Sequence, residues 1–169
     1  LLKNCISNNT QVAFTSQRIF LVLVYKFKRH LKDEIQVFMK NIFLRVLESE
    51  NSSFSQKAIV LESLRCLCHD PFLLTQIFLN YDCDIDGMRI YNDIITNLGR
   101  VALLSTTEPS AGEDKEVEEG LTLGFAAVEV LVIILSTFLK TIGLEKRRDR
   151  EMNDMAGKQI RKLLKLKEV

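Results

Sequence analysis

Apolar residues recur along most of the chain at the three- and four-residue intervals of an amphipathic α-helix. The clearest example is Leu31 to Leu47, whose apolar stripe contains Ile35, Phe38, Met39, Ile42, Phe43, Val46 and Leu47. Gln11 to Phe27 is more continuously apolar, with six apolar residues in a row at its centre. Such a run would also suit a buried strand, but its length and lack of turn residues favour a buried helix.

The second half of the chain continues the helical pattern. Helices are predicted at Ser55 to Cys68, Phe72 to Leu79, Gly87 to Leu104, Leu121 to Ile142 and Leu144 to Val169. Asp70 and Pro71 favour a helix start, because Asp suits the N-cap and Pro the first helical position. The predicted organisation is a helical core at 1–104, an acidic flexible linker at 105–120, and a long apolar helix followed by a basic amphipathic helix at 121–169.

Few turn-forming residues interrupt these segments, since the chain has two prolines and seven glycines among 169 residues. Helices of this length joined by short turns predict an all-α protein, either a helical solenoid or a bundle. The chain starts at Leu1 within an apolar phrase. We therefore interpret it as part of a longer polypeptide.

Charge is balanced overall but uneven along the chain. The net charge of +1 gives no global electrostatic reason to expect nucleic acid. Between residues 105 and 120, six acids and one base give −5, and between residues 140 and 169, ten bases and five acids give +5. The first segment is predicted to be a loop and the second a helical tail.

No catalytic set or phosphate-binding loop is visible, so the chain is predicted not to be an enzyme and to hold no cofactor. Its four cysteines show no disulfide spacing, and no signal peptide is present, which favours a reduced, cytosolic compartment. Cys66, Cys68 and His69 could suggest zinc, but a Cys-x-Cys spacing on a helix points the two thiols apart. Buried thiols are the preferred interpretation.

The most unusual segment is the acidic run from Asn80 to Gly87, which has two interpretations from its residues alone. As a calcium loop, its ligand positions and glycine position are filled; they are Asp82, Asp84, Asp86, Gly87 and Asp93. Arg89 and Ile90 do not suit the intervening loop positions. This leaves a single-loop, EF-hand-like calcium-binding protein as an alternative.

The second interpretation is structural. Asp84 or Asp86 is predicted to cap a helix that begins near Gly87, and Asn80 to adopt the left-handed conformation that often ends a helix. Tyr81 is predicted to bury its ring beneath the turn while its hydroxyl stays paired.

The pentapeptide Asn80-Tyr81-Asp82-Cys83-Asp84 also resembles the signature box of the large ARF guanine-nucleotide exchange factors. In that family the box lies in the region named for its homology upstream of the catalytic Sec-seven domain. Further segments resemble the same region of the BIG-type members: Leu31 to Ile35, Ile42 to Glu48, Ile90 to Asp93 and Leu98 to Ala102. The resemblance extends from about Gln17 to Ala102.

The resemblance implies an armadillo-like α-solenoid that is a non-catalytic regulatory region of an exchange factor in vesicle trafficking. It implies contacts with the upstream dimerisation region of the same protein, and an ARF-type GTPase that binds a catalytic domain absent from this chain. The expected location is cytoplasmic, peripherally on Golgi or endosomal membranes. The residues implied in contacts or structure are Asn80, Tyr81, Asp82, Cys83, Asp84, Ile90 and Tyr91. A generic armadillo-like adaptor remains an alternative.

Two features of the C-terminal third bear on membranes. Leu121 to Leu139 contains one charged residue, Glu129, and approaches the length of a membrane span. A buried solenoid helix is preferred, because a central carboxylate opposes insertion. The basic amphipathic tail is predicted to contact an anionic membrane or a partner, unless it is simply a solvated helix. Its candidate residues are Lys158, Arg161, Lys162 and Lys165.

Overall fold

A computed structural model describes residues 1–85, 87–104 and 114–165. The side chains of 104, 114–116, 144–145, 148–149, 151–153 and 156–165 lie outside the description. Every regular element in the described ranges is helical, which confirms the predicted all-α class. The elements are α1 (Leu2–Cys5), α2 (Thr10–Phe27), α3 (Lys32–Phe38), α4 (Arg45–Glu48), α5 (Phe54–Cys68), α6 (Pro71–Ile77), α7 (Ile90–Leu104) and α8 (Asp114–Lys165).

Helix starts follow the local sequence. The Asn9 side chain accepts the N–H groups of Gln11 and Val12 at the start of α2, which is a helix as predicted rather than a strand. At the start of α5, Ser53 and Gln56 form a reciprocal capping box. Asp70 caps α6 as predicted, by accepting the N–H groups of two first-turn residues.

Two helices widen into π-helical turns. The predicted helix Leu31 to Leu47 consists of α3, a π-helical turn at Met39–Leu44, and α4. The wider turn buries Met39, Ile42, Phe43 and Leu44 together. A second π-helical turn, Phe78–Asp82, extends α6 and carries the helix into the acidic run. Helical periodicity alone cannot locate such turns, because each inserts only one residue into a helix.

One hydrophobic core joins α2 to α8. The Phe20 and Phe38 rings stack with centroids 3.5 Å apart, and Phe43 meets both edge-on. Ala127, Val130 and Ile134 add one face of α8 to the same core. Buried polar side chains are paired: the Ser63 hydroxyl donates to Gln17 at 2.8 Å, and the Thr137 hydroxyl donates to the Cys68 carbonyl at 3.0 Å.

The C-terminal third differs from the prediction. The structure shows one helix, Asp114–Lys165, where two were expected. It begins inside the segment predicted to be a linker, of which 105–113 lies outside the described residues. Gly143 does not break the helix, because a helical glycine costs only about 1 kcal/mol and no proline follows it. The predicted domain boundaries stay a prediction.

Among the described residues, the stretch Val117–Gly143 is long and apolar enough to cross a membrane. Only 28% of its most apolar window is buried. Its apolar character therefore exceeds what the core of this chain covers.

Candidate functional site

The candidate site is the turn between α6 and α7, from Phe78 to Ile90. The Cys83 N–H donates to the Phe78 carbonyl at 3.1 Å and closes the π-helical turn. Most of the pentapeptide Asn80 to Asp84, called the box below, therefore belongs to the end of a helix rather than to a loop. Described non-glycine residues all have negative φ, so the prediction of a left-handed Asn80 is wrong. The helix ends through the wide turn instead.

Tyr81 attaches this turn to the start of α3. The residue is buried, as predicted, and its hydroxyl donates to the Lys32 carbonyl at 2.9 Å. Burial raises the pKa of Tyr81 to about 12, and the negative charges of Asp33 and Glu34 add to the rise. The phenol is therefore neutral and a hydrogen-bond donor at physiological pH.

Asp82 caps α7 from eight residues before its first residue. Its two carboxylate oxygens accept the Tyr91 N–H at 2.8 Å and the Asn92 N–H at 3.0 Å. These are first-turn N–H groups with no partner inside the helix, and a negative charge there suits the helix dipole. The predicted capping role is therefore present, but Asp82 fills it instead of Asp84, and the helix begins at Ile90 rather than near Gly87. Asp86 lies outside the described residues.

Asp84 has a surface role. One of its carboxylate oxygens lies 2.9 Å from the Lys32 Nζ, and both side chains are partly exposed. Such an exposed ion pair contributes about 0–1 kcal/mol. Lys32 also lies over the Tyr81 ring, 5.9 Å from its centroid. Lys32 thus contacts the box through both its backbone carbonyl and its side chain. It lies in the segment Leu31 to Ile35, which resembles the exchange factors, but the sequence predicted no role for it.

Gly87 closes the turn, and its lack of a side chain is required by close approach. Its N–H donates to the Asp84 carbonyl at 3.1 Å. A Cβ added at Gly87 would lie 2.5 Å from the Tyr81 carbonyl oxygen and 2.8 Å from the Asp84 Cβ. Its place in the calcium pattern therefore has a packing explanation.

Ile90 and Tyr91 fix the far side of the turn to the core. Ile90 is buried, and the Tyr91 ring meets Phe78 and Phe138 edge-on at 5.6 and 5.3 Å between centroids. Burial raises the pKa of Tyr91 to about 12. This aromatic cluster connects the π-helical turn, α7 and α8.

The remaining box residues face solvent. Asn80, Cys83 and Asp84 are exposed, and Ile85 beside them is 99% exposed. Leu79, just before the box, is 57% exposed. The turn thus has an inward face, Tyr81 and Asp82, and an outward face, Leu79, Asn80, Cys83, Asp84 and Ile85.

The geometry bears on both metal hypotheses. The two Asp82 oxygens accept N–H groups of α7, which gives this residue a structural role in the turn that requires no metal. Residues 1–85, 87–104 and 114–165 contain no metal-binding group of three or more His, Cys, Asp or Glu. Burial raises the pKa of the Cys68 thiol to about 12, which opposes the thiolate form that binds zinc.

The predicted membrane or partner residues lie far from this turn in sequence. Lys158, Arg161, Lys162 and Lys165 belong to the helical backbone of α8. Their side chains are outside the described residues, so their predicted contacts stay a prediction.

Comparison with known proteins gives a consistent picture. Residues 1–90 match the family model described as "Mon2/Sec7/BIG1-like, HUS domain". The chain is 33% identical to the human brefeldin A-inhibited guanine nucleotide-exchange protein 1, with 92% of the chain and 9% of that protein aligned. It is 37% identical to the ADP-ribosylation factor guanine nucleotide-exchange factor sec71 of Schizosaccharomyces pombe over 64% of the chain and 6% of that protein. The chain thus spans less than a tenth of the length of these relatives.

Proposed function

The chain belongs to the family of Mon2/Sec7/BIG1-like HUS domains, and from that premise we propose that it is a regulatory interaction region of a large ARF guanine-nucleotide exchange factor. The region itself is non-catalytic, since the HUS domain is separate from the exchange domain of these proteins. Exchange on an ARF-type GTPase would take place in a catalytic domain elsewhere in the parent polypeptide. The names of the relatives support this assignment.

The outward face of the turn is the proposed contact surface. Its carrying observation is Ile85, an apolar side chain 99% exposed at the tip of a turn that is otherwise held in place. The Tyr81 and Asp82 hydrogen bonds fix the backbone on which Ile85 and Asp84 are presented. A fixed turn that exposes apolar and charged groups together suits protein recognition, because little ordering is required on binding.

The proposed partner of this face is the upstream dimerisation region of the same protein, in the same or a second protomer. Stacked helices in an armadillo-like solenoid, the arrangement we propose for 1–104, would bring that region beside this chain. The C-terminal part at 121–169 is proposed to extend the unit beyond the segment 105–120, which the sequence predicts to be a linker.

Binding of the upstream region provides the test. We expect Asp84→Ala combined with Ile85→Ser to weaken its binding at least about tenfold in isothermal titration, since a central interface residue commonly contributes more than 1 kcal/mol. Leu103→Ser is the matched control, because Leu103 is a 70%-exposed apolar residue on α7. Equal affinities for the double variant and the wild type, with unchanged unfolding temperatures, would refute the contact role.

The proposed setting is the cytoplasmic surface of Golgi or endosomal membranes, with peripheral attachment. The basic residues Lys158, Arg161, Lys162 and Lys165 support it, because each base near an anionic surface contributes on the order of 1 kcal/mol. Replacing Lys162 and Lys165 by Glu should reduce sedimentation with phosphatidylserine vesicles. Unchanged sedimentation of this variant would show that Lys162 and Lys165 do not contribute to membrane binding.

The parent gene offers a direct test of the whole assignment. We expect the coding sequence beyond Val169 to encode an exchange domain. Its absence from the parent protein would refute the proposed function while leaving the fold unaffected.

A further inference from the structure

A polar cleft of about 250 Å³ lies beside the connection between α4 and α5. It shares no residue with the turn between α6 and α7. None of the residues that line it is acidic, and one of them is an arginine. We call it the Arg45 cleft; its lining residues are Ile6, Asn41, Arg45, Val46, Ser49, Ser52 and Gln56.

Arg45 supplies the positive charge of the cleft. Among the residues that the structure describes, its side chain has neither an ion pair nor a hydrogen bond. Glu48, three residues further along α4, accepts a hydrogen bond from Asn97 of α7 at 3.0 Å instead. Glu50 is exposed and does not line the cleft. The five N–H donors of the Arg45 guanidinium are therefore available to a ligand.

Three neutral side chains add further donors. In the described part of the chain, the Asn41 amide and the Ser52 hydroxyl have no hydrogen-bond partner. The Ser49 Oγ accepts the Asn51 N–H at 3.2 Å, and its hydroxyl proton can still be donated. The cleft thus combines one cation with several neutral donors and contains no carboxylate.

Gln56 holds the cleft in shape from the α5 side. Its amide nitrogen donates to the Ile6 carbonyl at 3.1 Å, and its amide oxygen accepts the Ser53 N–H at 3.0 Å. These bonds connect α5 to the segment after α1, so the cleft is formed before any ligand arrives and little ordering is required on binding. The positive end of the α5 dipole adds to the charge of Arg45.

These groups suit an anion with several acceptor oxygens. A phosphate has three terminal oxygens that can accept from a guanidinium and from hydroxyl groups together, whereas a carboxylate has only two. The volume is below the range of about 300–1,000 Å³ that is typical of sites for whole small molecules. It therefore favours the side chain of a phosphorylated residue. Glu50, exposed in the same connection, would oppose the approach of an anionic bilayer.

We propose that the Arg45 cleft binds the phosphoryl group of a phosphoserine or phosphothreonine on a partner protein. The guanidinium would bind two of the phosphate oxygens, and the Ser49 and Ser52 hydroxyls would donate to the oxygens that remain. The site is independent of the outward face of the box, which lies on a different turn.

Titration of the 169-residue chain with a neutral tripeptide that carries a central phosphoserine tests this proposal. Followed by NMR at constant ionic strength, the peptide should shift the amide signals of Ser49, Ser52 and Gln56 in a saturable way. The unphosphorylated tripeptide should not shift them.

Variants of the lining residues identify the groups that bind. Arg45→Ala should weaken binding at least about tenfold, as expected for the loss of charge-assisted hydrogen bonds. Arg45→Lys keeps the charge without the planar fork and should lie between the two, and Ser52→Ala should weaken binding severalfold. Arg29→Ala is the matched control, because Arg29 is an exposed arginine in the turn between α2 and α3. Unfolding temperatures should confirm that each variant is folded.

Three results would overturn the proposal. The first is the absence of saturable shifts up to about 20 mM phosphopeptide, or equal binding by Arg45→Ala. The second is an equal loss with Arg29→Ala, since binding would then follow net charge. The third is tighter binding, through Arg45, to phosphatidylcholine vesicles that contain phosphatidylinositol 4-phosphate, since a lipid headgroup would then be the ligand. The Asp84→Ala, Ile85→Ser variant should bind the phosphopeptide as the wild type does, which separates this site from the proposed function.

Discussion

The two faces of the α6–α7 turn use neighbouring residues for opposite purposes. On the inward face, the Tyr81 hydroxyl donates to a backbone carbonyl of α3, and the Asp82 carboxylate accepts two backbone N–H groups of α7. On the outward face, Asp84 forms a partly exposed ion pair with Lys32, and the Ile85 side chain is almost fully exposed to solvent. The difference shows that one pentapeptide combines a structural half and a surface half. Substitutions in the first should change stability, and those in the second should change binding.

The largest loss of stability is expected from Gly87→Ala, because Gly87 closes the turn against the backbone of Tyr81 in the structural half. The new Cβ would lie 2.5 Å from the Tyr81 carbonyl oxygen, so the turn must open, and we expect a loss of about 2–3 kcal/mol in unfolding free energy. Gly143→Ala is the control: space around Gly143 is open, and a helical Gly→Ala exchange should stabilise by about 0.5–1 kcal/mol. Urea unfolding measures both. A harmless Gly87→Ala would mean that the turn adapts freely.

Asp82→Ala should have the next largest effect. It removes both acceptors from the first turn of α7, which should cost about 1–2 kcal/mol, as the loss of an N-cap does. Asp82→Asn keeps one acceptor oxygen and should recover part of this loss. Equal stability of the Ala variant and the wild type, measured by urea unfolding, would show that water replaces the carboxylate without cost.

Tyr81→Phe tests the link to α3 and its pH dependence. Losing the hydrogen bond to Lys32 should cost about 1 kcal/mol at pH 7. The pKa of Tyr81 rises from 10.0 to about 12 on folding, so its contribution is complete below pH 10 and disappears as the pH rises toward 12.

The Phe variant should therefore lose stability less steeply between pH 10 and 12, by up to about 1.4 kcal/mol per pH unit. Tyr91 and Cys68, whose pKa values are also raised, continue to titrate in both proteins. Parallel stability curves for the variant and the wild type would show that the Tyr81 phenol does not lose its donor role in this range.

The smallest effect on stability is expected from Asp84→Ala. Its exposed pair with Lys32 should contribute less than about 0.5 kcal/mol, and addition of 0.5 M salt should remove most of that. If Asp84→Ala destabilises the fold as much as Asp82→Ala does, the division of the turn into a structural face and a surface face is wrong. Both can be measured in one series of thermal unfolding experiments.

Sequence reasoning predicted most of the helices because periodicity and caps are local signals. The cap at Asp70 and the extent of α2 followed directly from neighbouring residues. Local signals failed where a partner was distant in sequence. Asp84 and Asp86 were nearer to the expected helix start, whereas the backbone path brings Asp82 to it.

Lys32 escaped prediction for the same reason, because it meets Tyr81 across 49 positions, a contact that no short motif encodes. Gly143 has a different explanation: it suggests a helix boundary, but a helical glycine costs only about 1 kcal/mol and α8 continues through it. The resemblance to the HUS region supplied the family, but it did not distinguish the inward from the outward residues of the box.

The two hydrogen bonds that Asp82 accepts from the first turn of α7 offer a way to observe this region in solution. The Tyr91 and Asn92 amide protons are held by a carboxylate that belongs to the preceding helix. Their hydrogen-exchange rates therefore report whether the turn between the helices is closed, even though these amides lie at the end of a helix, where exchange is ordinarily fast. Protection at these two amides would serve as an internal gauge of the turn, readable in the full-length protein when a partner binds or leaves.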